Sequence, residues 1–328
     1  MKQHYSLSNS ILTEIKKADN ILINVHRNPD LDSIGSATAL YQALTHMNKK
    51  VNIICPHQIP ENFKFLKGAK QVKTIDFTNF KKWAGQYPAP TFDLFIILDS
   101  GSYDIVTGSK EIKLPEIKKI IIDHHRTNMF SDVEINLYDE IAATCEIIYQ
   151  MFLDWKIKID PEMATSLLSG IAGDTVFFKY GGNTKLTFKI ATELLDKGAD
   201  KNKLIDQAFD SFDFDLVKLI GETLKKMEKG NGFVYSIIDY ETYVKYGKPK
   251  GARELVANLF ARSIKGYDLG IIIFEVQRNM FSLSFRSKEN VDVSKIAKKL
   301  GGGGHKNAAG ATVYGTIDQV ITKIKEVI

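Results

Sequence analysis

The stretch Ile21-Leu-Ile-Asn-Val-His-Arg-Asn-Pro-Asp-Leu-Asp32 decides the fold of the first half of this chain. Its first five residues form a short apolar run that is typical of a strand buried on both faces. The loop that follows carries one histidine and two aspartates, and a helical pattern then extends from about Ile34 to His46. The sequence predicts further buried strands of the same kind at Val51–Cys55, Leu94–Leu98 and Lys119–Ile122.

Helical patterns follow these strands at Ala142–Trp155 and Pro161–Gly173. Such an alternation predicts a parallel sheet with helices on both faces. The pattern from Lys185 to Lys229 is helical and rich in charge, and short strands and helices alternate again after it. We therefore expect an α/β fold made of two domains. The parallel-sheet domain is predicted at residues 1–190, a helical connector at 191–229 and a smaller α/β domain at 230–328.

Composition supports a globular protein and excludes several other classes. The length of 328 residues fits about two domains. Hydrophobic residues make up 44% and charged residues 25%, which excludes a disordered, collagen-like or coiled-coil chain. The net charge of +5 suits an anionic substrate, although lysines scattered over a solvated surface explain it equally well.

The sequence gives no sign of a membrane or secretory protein. No apolar run reaches the ~18 residues that a membrane span requires, and the first residues lack the apolar core of a secretory signal. The two cysteines, Cys55 and Cys145, show no pairing pattern. We therefore expect a cytoplasmic location without a membrane partner.

Acidic and histidine residues cluster where the predicted strands end, which is where open α/β sheets bind ligands. The segment His26–Asp32 follows the first strand, Asp99 follows a later one, and Asp123-His-His125 follows another. Asp174 stands at the end of a predicted helix. A single such residue is commonly a helix cap or turn residue, but the combination points to a metal site.

The donor types favour particular metals. Carboxylate and imidazole groups without thiolate suit Mn²⁺, Mg²⁺, Fe²⁺ or Zn²⁺. The donors are too many for one ion and suit two, and a two-metal site is typical of phosphoryl transfer. The solitary Asp99 is the natural residue to bridge the two ions.

The same residues resemble the motifs of a known family. His26-Arg-Asn-Pro-Asp-Leu-Asp32, Leu98-Asp-Ser100, Asp123-His-His-Arg-Thr-Asn128 and Gly170-Ile-Ala-Gly-Asp-Thr175 resemble the four motifs of the DHH phosphoesterases. Gly301-Gly-Gly-Gly-His-Lys-Asn-Ala-Ala-Gly310 resembles the signature of the DHHA1 domain. Within that family the chain is similar to the short NrnA-like branch. It departs from the usual pattern at four positions, Leu31, Val176, Lys306 and Ala309, where Gly, Gly, Pro and Ser are common.

The resemblance implies roles for the site residues. One metal would be bound by His26, Asp30 and Asp99, and the other by Asp32, Asp99, His124 and Asp174. Asp123 would orient an imidazole, as carboxylates do beside metal-bound histidines, and His125 would face the scissile phosphate. In the second domain the resemblance implies a substrate clamp with phosphate-binding residues, so we expect the active site in a cleft between the two domains. The phosphate-binding residues are Gly302, Gly303, Gly304, His305 and Asn307. Arg286 follows a predicted strand and suits bidentate contact with phosphate. Arg253, at the start of a predicted helix at Ala252–Ile264, is a further candidate, although a surface or helix-start charge explains it equally well.

The activity that the resemblance implies is a manganese-dependent phosphoesterase of the oligoribonuclease (nanoRNase) type, acting as a homodimer. Its substrates would be short RNA oligonucleotides, cleaved to nucleoside 5′-monophosphates, and adenosine 3′,5′-bisphosphate (pAp), cleaved to AMP and phosphate. The nearest alternative is a phosphodiesterase for cyclic-di-AMP or its linear form pApA. A pyrophosphatase, an exopolyphosphatase and a non-catalytic RNA-binding or nucleotide-sensing protein are further alternatives, and every ligand expected for catalysis is present in the sequence.

Overall fold

The computed structural model describes residues 5–328, except residues 80–91 and positions 110, 113, 115, 127, 129, 180, 181, 250, 262 and 289. The chain divides into two compact units, Met1–Ser211 and Phe212–Ile328. This division falls within the stretch 191–229 that the sequence marks as a connector. Among the described residues, no helix combines the length and the apolar character that crossing a bilayer would require.

The first unit is built on a parallel sheet, as predicted. Its strands are β1 (Asn20–Asn24), β2 (Lys50–Cys55), β3 (Val72–Thr74), β4 (Leu94–Leu98), β5 (Lys119–Asp123) and β6 (Ile135–Tyr138). They are ordered β3-β2-β1-β4-β5-β6, and every neighbouring pair is parallel. The carboxyl ends of β1, β4 and β5 therefore lie side by side. The sequence did not predict β3 and β6 because these edge strands are short and partly exposed, so they lack a continuous apolar run.

Helices cover the sheet of the first unit. They are α1 (Ser8–Lys17), α2 (Leu31–His46), α3 (Tyr103–Thr107), α4 (Thr144–Asp154), α5 (Pro161–Thr175), α6 (Lys185–Asp196) and α7 (Lys201–Leu204). Successive residues of a strand point to opposite faces. On β1, Ile21 and Ile23 belong to the core formed with α1, α2, α4, α5 and α6, whereas Leu22 belongs to a second core on the other face. Burial on both faces explains why β1, β4 and β5 read as continuous apolar runs.

The second unit contains a mixed sheet. Its strands are β7 (Met227–Lys229), β8 (Phe233–Ile238), β9 (Leu269–Gln277), β10 (Met280–Ser287), β11 (Gly303–His305) and β12 (Ala308–Tyr314). They are ordered β11-β12-β10-β9-β8-β7, with β8 and β9 parallel and the other neighbours antiparallel. Strands β9 and β10 form a hairpin, and Met227–Lys229, read from sequence as helical, pairs with β8 instead.

Helices cover both faces of this second sheet. They are α8 (Phe214–Lys225), α9 (Tyr240–Lys245), α10 (Ala252–Val256), α11 (Val293–Lys299) and α12 (Ile317–Val327). One core forms between the sheet and α11 and α12, and another forms beneath α8 and α10. The helix predicted at Ala252–Ile264 is α-helical only as far as Val256 and continues as a π-helical turn at Ala257–Ala261.

Candidate metal centre

His26 and Asp30 come from the turn between β1 and α2. Asp30 caps α2 by accepting a hydrogen bond from the Ser33 backbone N–H at 3.0 Å. The Ser33 hydroxyl in turn accepts from the His26 backbone N–H at 3.1 Å. These two bonds fold the turn back on the helix, so His26 Nε2 lies 3.5 Å from Asp30 Oδ1. The local sequence thus places a first imidazole beside a first carboxylate.

Asp32 is held by the N-terminus of α4. It lies in the first turn of α2 and is fully buried. Its Oδ2 accepts from the Thr144 N–H at 2.6 Å, and its Oδ1 accepts from the Cys145 N–H at 3.0 Å. A helix N-terminus favours negative charge because its first N–H groups lack partners within the helix. Asp32 is therefore held in place by Thr144, which lies 112 residues later in the sequence.

Asp99 lies between the two histidines at the end of β4. Its φ of 53° is in the left-handed region, which aspartate adopts more readily than most residues. Its Oδ2 is 3.4 Å from His26 Nε2, and its Oδ1 is 3.4 Å from His124 Nε2. The Thr144 hydroxyl also donates to Oδ1, at 3.0 Å. One carboxylate oxygen therefore faces each histidine, as a bridging ligand requires.

Both histidines present the same nitrogen to the carboxylates. His26 Nδ1 lies 2.7 Å from the Arg27 carbonyl oxygen, and His124 Nδ1 lies 3.0 Å from the Ile141 carbonyl oxygen. Because a carbonyl only accepts, we assign the proton to Nδ1 in each ring. The lone pair of Nε2 then points at the carboxylates, which is the tautomer that metal-binding histidines adopt.

A close crossing of α2 and α5 brings Asp174 to this edge. A Cβ on Gly35 would lie 2.5 Å from the Ser166 carbonyl oxygen, and a Cβ on Gly170 would lie 2.6 Å from Asp32 Oδ1. Only glycine permits this approach of the two helices. Asp174, one turn after Gly170 on α5, consequently places its Oδ2 3.1 Å from His124 Nε2.

The donors form three groups that share members, and within each group the ligand atoms lie within 4.8 Å of one another. The groups are His26, Asp30 and Asp99; Asp32, His124 and Asp174; and Asp99, His124 and His125. All seven residues were singled out from the sequence, and the structure brings them together. His124 Nε2 is buried without a hydrogen-bond partner in the described part of the chain, although carboxylate oxygens surround it. A lone pair that faces acceptors needs a cation between them, so the donors fit divalent metal ions.

The electrostatics of the cluster favour the binding of positive charge. Burial raises the pKa of Asp32, and the Asp99 and Asp174 carboxylates raise it further. Burial, with Asp30 and Asp99, likewise raises the pKa of Asp174 to about 6, against the opposing effect of His124. Burial opposes charge on His124, yet Asp174 and Asp99 raise its pKa. No described lysine or arginine forms an ion pair with these carboxylates, so protons or metal ions must balance them.

Asp123 and His125 form a hydrogen-bonded pair at the end of β5. Asp123 Oδ1 accepts from His125 Nδ1 at 2.8 Å and from the His125 N–H at 3.2 Å. Burial lowers the pKa of His125, but the Asp123 hydrogen bond and the Asp99 charge outweigh burial and raise it. His125 is 28% exposed, whereas Asp123 is fully buried. Asp123 thus orients the His125 ring and raises its pKa.

Sequence reasoning missed some residues that hold the cluster in place. Thr144 supplies one backbone and one side-chain donor, and the only signal for it is a threonine at the start of a helical pattern. His57, an exposed residue, contacts the site turn, with its Nδ1 2.8 Å from Asn28 Oδ1. The contact arises because β2, which precedes His57, pairs with β1.

The residues predicted to bind substrate lie in the second unit. Arg286 near the end of β10 is aligned with Ala308 of β12, and the Asn307 carbonyl accepts from the Ser287 N–H at 3.1 Å. Gly303 and Gly304 lie in strand β11, and a Cβ on Gly302 would lie 2.1 Å from the Gly310 carbonyl oxygen. Close packing against Gly310 is therefore a second reason for a glycine at position 302. The side chain of His305 lies outside the described part of the structure.

Comparison with protein families matches both units. A model of the DHH family, N-terminal domain, matches residues 20–171. A model of the DHHA1 domain matches residues 230–328. The first match contains every metal-ligand candidate except Asp174, and the second contains the candidate substrate-binding residues.

Individual relatives align along most of the chain. The bifunctional oligoribonuclease and PAP phosphatase NrnA of Bacillus subtilis is 25% identical over 314 residues, which cover 94% of this chain and 94% of NrnA. The cyclic-di-AMP phosphodiesterase GdpP of the same organism is 25% identical over 334 residues, covering 98% of this chain and 49% of GdpP. A membrane protein–large ribosomal subunit bL9 fusion protein of onion yellows phytoplasma is 26% identical over 335 residues. The chain spans only 38% of the length of that fusion protein.

A solved structure has the same fold throughout. The crystal structure of an exopolyphosphatase-related protein from Bacteroides fragilis is similar with a TM-score of 0.89 and 26% sequence identity. The alignment covers 98% of this chain and 94% of that one. The folds of both units therefore occur together in another protein.

Proposed function

This chain belongs to the DHH family and carries a DHHA1 domain, and we propose from this premise that it hydrolyses phosphate esters with two divalent metal ions. The preferred substrates are short oligoribonucleotides, cleaved to nucleoside 5′-monophosphates, and pAp, cleaved to AMP and phosphate. The unit Met1–Ser211 carries the catalytic residues, and the unit Phe212–Ile328 binds substrate phosphates.

The observation that carries this proposal is the pair of ligand groups that Asp99 joins. His26, Asp30 and Asp99 would hold one ion, and Asp32, His124 and Asp174, with Asp99, would hold the other. Two such ions would supply positive charge for the oxygens of an in-line phosphoryl displacement and would lower the pKa of bound water. Manganese suits a set of carboxylate and imidazole donors.

The chain's own residues prepare the site before any substrate arrives. The carbonyls of Arg27 and Ile141 fix the ring orientation of the two histidines. The N-terminus of α4 fixes Asp32, so little reorganisation is required when the charge of the substrate changes. His125, whose ring Asp123 orients, is the donor that we place toward the scissile phosphate.

The choice of substrate rests on the relatives and on the second unit. NrnA aligns over almost its full length, and its activities are named as oligoribonuclease and PAP phosphatase. Arg253 and Arg286 are partly buried cations suited to phosphate oxygens. The glycine-rich segment 301–304 and Asn307 complete the proposed clamp.

A substrate panel tests the proposal. Purified protein with Mn²⁺ receives labelled RNA from dinucleotide to pentanucleotide and, separately, pAp. We expect mononucleotides from the RNA and AMP with phosphate from pAp. The control is Asp99→Asn, which suits the left-handed backbone of position 99 and should lose both activities. An absence of product from both substrates with the wild-type protein contradicts the proposal.

A second candidate is a phosphodiesterase for cyclic-di-AMP or pApA. GdpP supports it, because its alignment covers 98% of this chain. The same panel separates the two functions if cyclic-di-AMP, pApA and pyrophosphate are included. A kcat/KM for cyclic-di-AMP that exceeds those for RNA and pAp would favour the second candidate.

A further inference from the structure

Strand β10 presents a polar face beneath the segment Ala252–Ala261. Phe281, Leu283 and Phe285 pack into the core with α11 and α12. Because side chains alternate along a strand, Ser284 and Arg286 point to the opposite face. On that face lie α10 and the π-helical turn, whose Val256, Ala257 and Ala261 pack on β9 residues. A serine and an arginine are unusual choices for a surface covered by a helix.

Two hydrogen bonds join this segment to the polar face. Arg253 Nε donates to Ser284 Oγ at 2.8 Å, and Arg286 Nε donates to Asn258 Oδ1 at 2.6 Å. Arg253 and Asn258 are five residues apart, the spacing of π-helical hydrogen bonds. Their partners on β10 are two residues apart and share one face. The π-helical turn therefore places Asn258 over Arg286 while α10 places Arg253 over Ser284.

Gly270 permits this close packing. It is the β9 residue aligned with Arg286, and a Cβ at this position would lie 1.9 Å from the Ala261 carbonyl oxygen. Any side chain would push the π-helical turn away from the sheet. The turn therefore lies close against the sheet beside Arg286, where Asn258 makes its hydrogen bond.

The bonds constrain both guanidinium groups. Arg286 also donates through Nη1 to the Phe285 carbonyl at 2.9 Å, so two of its nitrogens are held. Arg253 is only 20% exposed, with Glu254 in contact with its Nη2 and Ser284 3% exposed beneath it. A guanidinium group held through Nε keeps a fixed plane, and the plane decides whether it can meet two phosphate oxygens together.

We propose that Asn258 and Ser284 are positioning residues that orient Arg286 and Arg253 toward the phosphate oxygens of the substrate. This inference rests on the proposed function of the second unit in phosphate binding. It assigns to the π-helical turn Ala257–Ala261 the task of setting the Arg286 side chain. Asn258 itself makes no contact with the substrate and acts through the arginine.

The test is a double-mutant cycle measured by calorimetry with AMP as ligand and Mn²⁺ present. AMP offers a phosphate monoester and is not consumed, so binding is measured independently of hydrolysis. Asn258→Ala should weaken AMP binding about tenfold, in line with the value of a hydrogen bond to a charged group. Arg286→Ala should weaken it at least as much, and Asn258→Ala should add nothing in the Arg286→Ala background.

The matched control is Leu259→Ala, a neighbouring residue on the same turn that is 40% exposed and should leave the affinity unchanged. Unchanged affinity in Asn258→Ala overturns the inference, as does an additive effect in the double variant or an absence of AMP binding by the wild type. Thermal unfolding of each variant identifies a loss of fold. A wild type that binds AMP and shows the cycle, but hydrolyses nothing in the panel, refutes the proposed function alone.

Discussion

Replacing Gly170 by alanine should damage the metal centre, although the same replacement usually stabilises a helix. Gly170 lies inside α5, where exchange for alanine is normally worth roughly 0.5–1 kcal/mol in favour of folding. Here the added Cβ would lie 2.2 Å from Cys145 Sγ and 2.6 Å from Asp32 Oδ1. Either α5 or the start of α4 must therefore move.

The expected loss of folding stability follows from the contacts that this movement breaks. Overpacking a tight core costs about 1–3 kcal/mol. Displacing Asp32 also weakens its bonds from the N–H groups of Thr144 and Cys145, and a hydrogen bond to a charged group is worth about 1.5–3 kcal/mol. We expect a net destabilisation of about 2 kcal/mol in EDTA, after the helical gain is subtracted. Affinity for Mn²⁺ should fall about 10- to 100-fold, as when partners of metal ligands are altered.

Urea denaturation in EDTA and Mn²⁺ titration calorimetry measure the two effects. The matched control is Gly221→Ala on α8, where a new Cβ meets nothing within 4 Å. The control should be neutral or slightly stabilising and should keep the wild-type affinity for Mn²⁺. If Gly170→Ala behaved like Gly221→Ala in both assays, the close crossing of α2 and α5 would not support the site as argued.

Three further changes probe the neighbourhood of the site. Asp123→Asn should lower the pKa of His125 because it removes the carboxylate that raises it. The alkaline limb of the plot of kcat against pH should then move to lower pH, and an unchanged limb contradicts the role of Asp123. Burial raises the pKa of Glu146 to about 7, so the wild type loses stability as pH rises from about 4.5 to about 7, by about 3 kcal/mol in EDTA. The stability gained in Glu146→Gln should therefore be larger at about pH 8 than at about pH 5, and equal gains would refute this account. Val176→Gly should raise the free energy of unfolding by up to about 1 kcal/mol, because Val176 has a φ of 47° and glycine adopts this left-handed conformation without strain. Urea denaturation measures the change, and a clear loss of stability would contradict the inference that the Val176 backbone is strained.

Much of the fold and family was accessible from the sequence for a physical reason. The central strands are buried on both faces, so β1, β4 and β5 appear as apolar runs with chemistry-bearing residues directly after them. The family that the motifs indicated is confirmed by the two matching family models. The departure at Val176 also becomes intelligible, since its left-handed backbone is a conformation in which glycine is unstrained.

The supporting residues were not accessible because they depend on contacts between distant segments. Thr144 acts on Asp32 and Asp99 only after α4 docks against the sheet edge. Asn258 reaches Arg286 only because Gly270 admits the π-helical turn. The local hydrophobic pattern of a sequence does not reveal such long-range contacts. At Ala252–Ile264 the pattern predicts an ordinary helix.

The central claim is that Asp99 joins two metal sites at the edge of the first sheet. Counting the Mn²⁺ ions bound per chain at saturation, by equilibrium dialysis with metal analysis, tests this claim most directly. The structure predicts two ions per chain for the wild type and fewer than two for Asp99→Asn. A wild-type protein that binds one ion or none, or an Asp99→Asn variant that still binds two, would contradict the account.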